Sequence, residues 1–186
     1  MTGKLIVISG PSGCGKGTVI KKLSEMIPFK LSVSDTTRPP RTGEVDTVDY
    51  NFLSNEEFLR KVENGEYFEH AEYNGSSKNY GTPNTQVLPF LEAGETVILE
   101  IDVQGAEQIK AKTPEAVLIF ILPPSKEILK ERLSGRGTES QEIINKRLQT
   151  AEAEINKASN FDYRVINDSL DECASQIRDI IENINT

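Results

Sequence analysis

The sequence predicts an α/β fold in which a parallel central sheet is covered by helices on both faces. Three short, mainly apolar runs, at residues 5–8, 97–102 and 117–122, have the composition of strands that are buried on both sides. Patterns of apolar residues at helical spacing lie between these runs. Because strands that alternate with helices form parallel sheets, the order of the elements indicates this architecture.

The first strand leads through a glycine-rich turn into the first helix. Apolar residues after the turn recur at helical spacing as far as Pro28, which ends the helix. These residues are Val19, Ile20, Leu23, Met26 and Ile27. Near the end of the chain, residues 163–166 predict another strand, and a helix with an isoleucine-rich inner face follows it.

Capping signals mark the starts of three predicted helices. Ser54 with Glu57, and Ser169 with Glu172, have the spacing of a capping box. Thr82 places a hydroxyl directly before a proline, which is the arrangement expected where a cap precedes the first helical residue.

The chain of 186 residues suits one domain, with two segments that leave the sheet. Residues 34–82 are polar, with short strand-like pieces around residues 50–53, and residues 125–147 are helical around a Gly-Arg-Gly centre. Neither segment has enough apolar residues to form its own core. We therefore expect a core of residues 1–33, 83–124 and 148–186, with both segments placed over the functional site.

Composition excludes several classes of protein. The net charge of −8 argues against a nonspecific nucleic-acid binder, which needs a basic face, although local arginines can still bind small anions. Two cysteines far apart in sequence indicate a reduced, cytoplasmic protein rather than a disulfide scaffold. The N-terminal apolar run is too short for a signal peptide or a membrane span.

The turn after the first strand has the pattern of a phosphate-binding loop. Residues 10–16 read G-x-x-x-x-G-K between a buried strand and a helix, which predicts a three-layer P-loop NTPase fold. In such a loop, backbone N–H groups and the helix N-terminus face phosphate oxygens, and Lys16 bridges the β- and γ-phosphates. A glycine-rich turn without function is the alternative. The predicted ATP-binding residues here are Gly10, Pro11, Ser12, Gly13, Cys14, Gly15, Lys16, Gly17 and Thr18.

The metal ligands are less clear, because Gly17 stands where a Ser or Thr hydroxyl usually binds Mg²⁺. Thr18 follows, and Glu100 and Asp102 lie two residues apart at the carboxyl end of a predicted strand. We expect these three residues to hold Mg²⁺ through water, since the ion keeps several waters readily. The two carboxylates could instead accept hydrogen bonds from a base, or be a solvated polar pair.

Five motifs together resemble guanylate kinase: GPSGCGKGT, SDTTRPPRTGE, DYNFLS, NYGTP and EIDVQGA. They follow in matching order along roughly residues 3–184, and the segment from residue 34 to residue 44 is specific to that family. The resemblance implies transfer of the γ-phosphoryl group of ATP to GMP or dGMP, giving ADP and GDP, with Mg²⁺ as cofactor. It also implies a role in purine nucleotide metabolism, with residues 34–82 as the GMP-binding region and residues 125–147 as the lid.

By the same resemblance, Arg38, Arg41 and Tyr80 hold the GMP phosphate, with help from Tyr50. Two guanidinium groups suit a dianionic phosphate because arginine keeps its charge and binds in a forked geometry. The alternative is a solvated basic loop whose arginines form surface ion pairs.

The resemblance assigns the guanine base to a second group of residues. Glu69 accepts hydrogen bonds from N1–H and the exocyclic amine of guanine. Ser34 and Thr82 bind the other edge of the base, and Asp102 supports the base. Thr82 could equally be only a helix cap. His70 is the only histidine, and we expect it to be structural or exposed rather than catalytic.

Arginines of the lid segment complete the implied site. Arg136 and Arg147 close over the transferred phosphoryl group, and together with Lys16 and Arg38 they form the predicted catalytic set. Arg132 lies on the ATP side, or is an ordinary helix-surface arginine. A further expected ATP contact is that of Asn167 with adenine.

Two other functions remain open from the sequence. The chain could be another nucleoside monophosphate kinase, which Glu69 with Ser34 and Thr82 argues against. It could also resemble the noncatalytic kinase-like modules of membrane-associated scaffolds, but those lack an intact phosphate loop and Lys16 is present here. The expected partners are ATP and GMP or dGMP, without nucleic acid or membrane, in a monomer or small homo-oligomer.

Overall fold

The computed structural model describes residues 3–72, 77–134 and 141–184. Its strands are β1 (Leu5–Ser9), β2 (Lys30–Leu31), β3 (Asp35–Thr36), β4 (Asn51–Phe52), β5 (Tyr67–Glu72), β6 (Asn79–Pro83), β7 (Val97–Glu100), β8 (Val117–Leu122) and β9 (Tyr163–Ile166). Its α-helices are α1 (Lys16–Ser24), α2 (Asn55–Glu63), α3 (Leu88–Glu92), α4 (Val103–Lys112), α5 (Lys126–Ser134), α6 (Gln141–Asn156) and α7 (Leu170–Asn183). Short 3₁₀ turns lie at Asn84–Gln86 and Ala158–Asn160.

The central sheet has the strand order β2-β7-β1-β8-β9, and every pair is parallel. The strands predicted from the apolar runs and from residues 163–166 form four of its members. The edge strand β2 is only two residues long and had no apolar run to reveal it.

The residues of β1 show why helices cover both faces of this sheet. Leu5 and Val7 pack on one side with Ala106 and Ile109 of α4. Ile6 and Ile8 point the other way. On that side lie residues of α1 and α7, including Val19, Ile20, Leu23, Ala174 and Ile177. Because side chains alternate along a strand, a run that is apolar at every position needs two packed faces, which confirms the three-layer prediction.

A second, smaller sheet forms from residues 35–83, within the segment predicted to leave the core. Its order is β4-β3-β6-β5, with β3–β4 parallel and the other pairs antiparallel. Helix α2 packs against it through Phe58, whose ring stacks on Tyr67 with centroids 4.7 Å apart.

Two of the three predicted helix caps are confirmed. Ser54 accepts from the backbone N–H of Glu57, and Ser169 accepts from that of Glu172. The cap predicted at Thr82 is wrong, because this residue lies inside β6 and pairs across the sheet with Glu69. The prediction that a strand runs as far as Asp102 is also wrong, because β7 ends at Glu100 and Asp102 caps α4.

Helices α5 and α6 form the helical segment predicted after β8, and they pack through Leu129, Leu133 and Ala151. Helix α6 continues without a break to Asn156, so the expected lid boundary at residue 147 falls inside it. Across the three described ranges, none of the helices combines the length and the apolar character needed to cross a bilayer.

Candidate active site

An open cleft of about 480 Å³ joins residues of both sheets. It lies beyond the carboxyl ends of β1 and β7, where parallel sheets bind ligands. The predicted site residues that line it are Gly10, Ser12, Gly13, Gly15, Lys16, Gly17, Thr18, Ser34, Arg38, Arg41, Tyr50, Glu69, Tyr80, Glu100, Asp102 and Arg132. Most of the residues singled out from the sequence therefore meet in one place, although they come from distant parts of the chain.

The loop between β1 and α1 has the shape expected of an anion-binding turn. Gly15 is the N-cap residue of α1 and has a left-handed backbone, with φ of 92°. A side chain there would also meet the Asn167 amide nitrogen, which lies 2.7 Å from an ideal Cβ position. No acidic residue occupies the first turn of α1, so its N-terminus is positively polarised toward the cleft.

Lys16 folds back over this loop. Its Nζ donates to Gly10 O at 2.6 Å and lies 3.4 Å from Pro11 O. Cys14, in the same loop, is fully buried, and this burial raises the pKa of its thiol. Both Cys14 and Cys173 are free thiols. The lysine is therefore positioned beside the loop amides, whereas the cysteine is a packing residue.

Arg132 and Asn167 both bind the backbone of the phosphate loop. Arg132 donates to Cys14 O and Asn167 O, each at 3.3 Å. The buried Asn167 amide donates to Cys14 O at 2.8 Å. In this structure the Asn167 side chain supports the loop, and it is not among the residues that line the cleft.

Helix α6 reaches the other side of the same loop. Arg147 donates to the Ser12 hydroxyl at 2.8 Å. Arg136 lies outside the described residues. Glu154, which the sequence analysis missed, lines the cleft, and burial raises the pKa of its carboxyl group while nearby Lys16 opposes the shift. Its position on the inner face of a long helix gave no motif by which to find it.

Arg38 is almost completely buried, with 6% of its surface exposed, and it is held by an ion pair. Its two terminal nitrogens donate to the two oxygens of Glu44, at 2.7 and 2.8 Å, and its Nε donates to the Tyr80 hydroxyl at 3.2 Å. Burial opposes the charge, but the bonds to Glu44 and Tyr80 outweigh it and raise the pKa of Arg38. The predicted phosphate ligands Arg38 and Tyr80 are thus directly bonded.

Arg41 and Tyr50 lie next to this pair. Arg41 is exposed, and its backbone N–H donates to Glu44 at 2.7 Å. The Tyr50 ring lies under the Arg38 guanidinium, 5.1 Å from its centre, and burial raises the pKa of Tyr50 to about 12. The tyrosine hydroxyl therefore stays a neutral hydrogen-bond donor at physiological pH.

Three polar residues of the small sheet form a buried group on the cleft wall. Thr82 donates to Glu69 Oε1 at 2.6 Å, and the Ser34 hydroxyl lies 3.5 Å from that of Thr82. Burial raises the pKa of Glu69 to about 7. His70 follows Glu69 on the strand but is exposed, as predicted.

Glu100 and Asp102 both line the cleft but differ in their surroundings. Asp102 Oδ1 accepts from Gly105 N at 2.9 Å, as the cap of α4. Glu100 is largely buried, and desolvation raises its pKa despite the nearby charge of Lys16. Thr18 is exposed beside them. In the described parts of the chain, no three His, Cys, Asp or Glu residues are grouped closely enough to hold a metal on their own.

A buried network behind the small sheet was also missed by the sequence analysis. Asp35 is fully buried and accepts from Asn51 Nδ2 at 2.7 Å, from the Tyr67 hydroxyl at 2.8 Å and from Lys61 Nζ. It links β3, β4, α2 and β5, which carry or flank the residues that face the cleft. No local pattern could reveal a network whose members are so far apart in sequence.

Comparisons with known proteins agree with this geometry. The sequence profile of the guanylate kinase family matches residues 2–184. The chain is 49% identical to guanylate kinase from Clostridioides difficile, over 97% of this chain and 88% of that protein. It is 53% identical to guanylate kinase from Caldanaerobacter subterraneus subsp. tengcongensis, over 96% and 86% of the two chains.

A solved structure supports the same assignment at the level of the fold. The crystal structure of guanylate kinase from Anaplasma phagocytophilum superposes with a TM-score of 0.82 at 37% identity, covering 100% of this chain and 88% of that one. The match therefore includes both sheets and the helices that surround the cleft. On the profile, the relatives and the superposition together, the chain belongs to the guanylate kinase family.

Proposed function

We propose that the chain transfers the γ-phosphoryl group of ATP to GMP or dGMP, giving ADP and GDP. The observation that carries this proposal is that one cleft contains the phosphate loop, the buried carboxylate of Glu69 with its bond from Thr82, and the two arginines Arg38 and Arg41. Residues 34–82 supply the acceptor side, and residues 125–147 supply the lid. Two free, buried thiols fit a reducing compartment such as the cytoplasm, and the chain acts as a monomer or small homo-oligomer.

On the donor side, the loop amides of residues 10–18 and the N-terminus of α1 bind the ATP phosphates. Lys16 exchanges its bond to Gly10 O for bonds to the β- and γ-phosphates, because a phosphate oxygen is a stronger acceptor than a carbonyl. Arg132 and Asn167 keep the loop in shape through Cys14 O, and Asn167 contacts adenine when ATP binds.

On the acceptor side, Arg38, Arg41, Tyr50 and Tyr80 hold the GMP phosphate. Arg38 is fixed in direction by Glu44, so that little rotamer freedom is lost when the phosphate binds. Arg41 is exposed at the cleft and supplies the second positive charge. Together these groups supply the charge and the hydrogen-bond donors that a dianionic phosphate requires.

The guanine base binds to Glu69, Ser34 and Thr82, with Asp102 at the neighbouring helix. The carboxylate of Glu69 accepts from N1–H and from the exocyclic amine, which adenine does not present in that arrangement. Thr82 fixes Glu69 Oε1 and so aims the other oxygen. Since an adenine would leave this buried group unpaired, discrimination can reach about 10⁴-fold.

Transfer itself requires that negative charge on the migrating phosphoryl group be neutralised. Lys16 and Arg38 line the cleft and supply positive charge there, and Arg147 and Arg136 complete the set as lid residues. Arg147 already contacts Ser12 of the phosphate loop. Closure of the lid excludes water and so limits hydrolysis of ATP.

Mg²⁺ fits the oxygen donors that this cleft presents. Glu100 Oε2 lies 3.8 Å from the place where a Cβ of residue 17 would stand, so a carboxylate neighbours the position usually filled by a hydroxyl ligand. Glu100, Asp102 and Thr18 would hold the ion through water. When bound, Mg²⁺ neutralises charge on the β- and γ-phosphates.

The test is an acceptor screen in which ADP release is measured with ATP, Mg²⁺ and each of GMP, dGMP, AMP, UMP and dTMP. We expect GMP and dGMP to exceed AMP by about 10³-fold or more in kcat/KM. Comparable use of AMP would contradict the guanine assignment. No GMP-dependent ADP release would instead support the noncatalytic scaffold alternative.

A further inference from the structure

We propose that Gly105 sets the position of Glu69 in this site, because its missing side chain leaves the space in which the carboxylate of Glu69 lies. Gly105 contacts no nucleotide in this scheme and acts through the position of Glu69, so it is a positioning residue. The inference rests on the proposed function, in which Glu69 recognises guanine.

The space is small. An ideal Cβ on Gly105 would lie 2.8 Å from Glu69 Oε2 and 3.3 Å from Glu69 Cδ. It would also lie 3.1 Å from Ile101 Cδ1. The contact with Oε2 is closer than real Cβ atoms come to their neighbours. A methyl group at this position therefore requires the carboxylate to move by about half an ångström.

Glu69 has little freedom to make that movement without losing the orientation that recognition of the base requires. Only 3% of its surface is exposed, and its Oε1 is held by the Thr82 hydroxyl at 2.6 Å. Thr82 is in turn fixed in β6, directly opposite Glu69. A displaced carboxylate either breaks the bond to Thr82 or presents its oxygens to the base at the wrong angle. Such errors of about 0.5 Å are enough to impair a recognition site.

Two side-chain bonds between α4 and β5 oppose a separation of the helix and the strand that would relieve the clash. Gln108 donates to His70 O at 2.9 Å, and Lys112 donates to Phe68 O at 3.3 Å. Both acceptors are the strand residues next to Glu69. Moving the helix away from the strand would stretch both of these bonds.

The backbone conformation of residue 105 does not require a glycine. Gly105 lies within α4, and it is absent from the described glycines with positive φ. Alanine is the better helix former at such a position, so glycine weakens the helix slightly. Close approach to Glu69 is the feature that a glycine permits here and an alanine does not.

The experiment is a double-mutant cycle with wild type, Gly105→Ala, Glu69→Ala and the double variant, measuring kcat/KM for GMP at subsaturating concentrations. We expect Gly105→Ala to lower this value about tenfold in the wild-type background and less than about twofold when Glu69 is already alanine. The KM for ATP should stay unchanged. Gln104→Ala, an exposed residue in the same helical turn, is the matched control and should behave as wild type.

Two results would overturn the inference. One is a Gly105→Ala enzyme with wild-type kcat/KM for GMP, and the other is an equal loss in both backgrounds, which would show that Gly105 acts independently of Glu69. These results differ from failure of the proposed function, which would appear as absence of GMP phosphorylation by the wild-type enzyme. Calorimetric titration of GMP into Gly105→Ala, without ATP, provides a binding readout that does not depend on turnover.

Discussion

The guanidinium of Arg38 is paired with both carboxylate oxygens of Glu44, at 2.7 and 2.8 Å, on the wall of the cleft. The same Glu44 accepts from the backbone N–H of Arg41 at 2.7 Å. One carboxylate thus fixes the side chain of the first arginine and the backbone of the second. The bond to Arg38 lowers the pKa of Glu44, so the pair stays ionised at neutral pH.

We predict that Glu44→Gln raises the KM for GMP about tenfold and leaves the KM for ATP unchanged. The glutamine amide has the same shape as the carboxylate but carries no charge, and only one of its two terminal atoms accepts hydrogen bonds. The side chain of Arg38 is therefore held less firmly in its orientation. Steady-state kinetics with each substrate varied in turn measures both constants. Glu56→Gln, at an exposed position of α2, is the control. An unchanged KM for GMP in Glu44→Gln would show that the function of Arg38 does not depend on Glu44.

Lys16→Ala should lower kcat by about 10²-fold or more, because the amine supplies charge at the transferred phosphoryl group. The fold should persist, since the lysine is only part-buried and its bonds are to carbonyls of its own loop. Single-turnover kinetics and Tm give the two readouts. A variant with near wild-type kcat would remove Lys16 from the catalytic set.

The affinity for GMP should depend on pH through Glu69. Its pKa of about 7 in the free protein means that the carboxyl group is partly protonated at neutral pH. Because guanine donates to the carboxylate, binding below pH 7 requires loss of a proton, and affinity falls by up to about tenfold per pH unit. Above pH 7 this dependence disappears.

Calorimetry from pH 5.5 to 8.5 measures this effect. The GMP phosphate also titrates in part of this range, with a pKa of about 6. Glu69→Gln serves as the control, because it keeps the phosphate titration and loses the carboxyl one. Identical pH profiles of GMP affinity for the wild type and Glu69→Gln would contradict the assignment of Glu69 as the acceptor for guanine.

The buried Asp35 network predicts a large loss of stability on mutation. Asp35→Asn should reduce the free energy of unfolding by about 3 kcal/mol, because the Lys61 ammonium loses its charged partner at a site where Asp35 has no exposure. Urea denaturation measures the change. The double variant Asp35→Asn/Lys61→Met should recover part of the loss, whereas additive losses would show that the two residues are not coupled.

The sequence was informative where function depends on contiguous residues. The phosphate loop and the flanking strand and helix lie within residues 5–24, so their spacing predicts both structure and ligand. The arginines at 38 and 41 belong to one short segment, and Glu44 three residues further on could have been identified as their partner by charge alone.

The sequence was less informative where pairing between distant strands determines the local structure. Thr82 has the local signature of a helix cap, but hydrogen bonding to β3 and β5 places it in a strand, since pairing between strands overrides local propensity. The Asp35 network and the contact of Gly105 with Glu69 could not be predicted from local sequence either, because both join residues more than fifteen positions apart. Arg136 lies outside the described residues, so its role stays a prediction.

The proposed cleft brings the phosphates of two nucleotides end to end, and a bisubstrate analogue with adenosine and guanosine joined through their phosphates tests this directly. Calorimetry should give a Kd for the linked compound at least about 10²-fold below that of GMP or ATP alone, because the second half binds at a high effective concentration. An analogue that binds no more tightly than GMP alone would contradict the end-to-end arrangement of the two nucleotides.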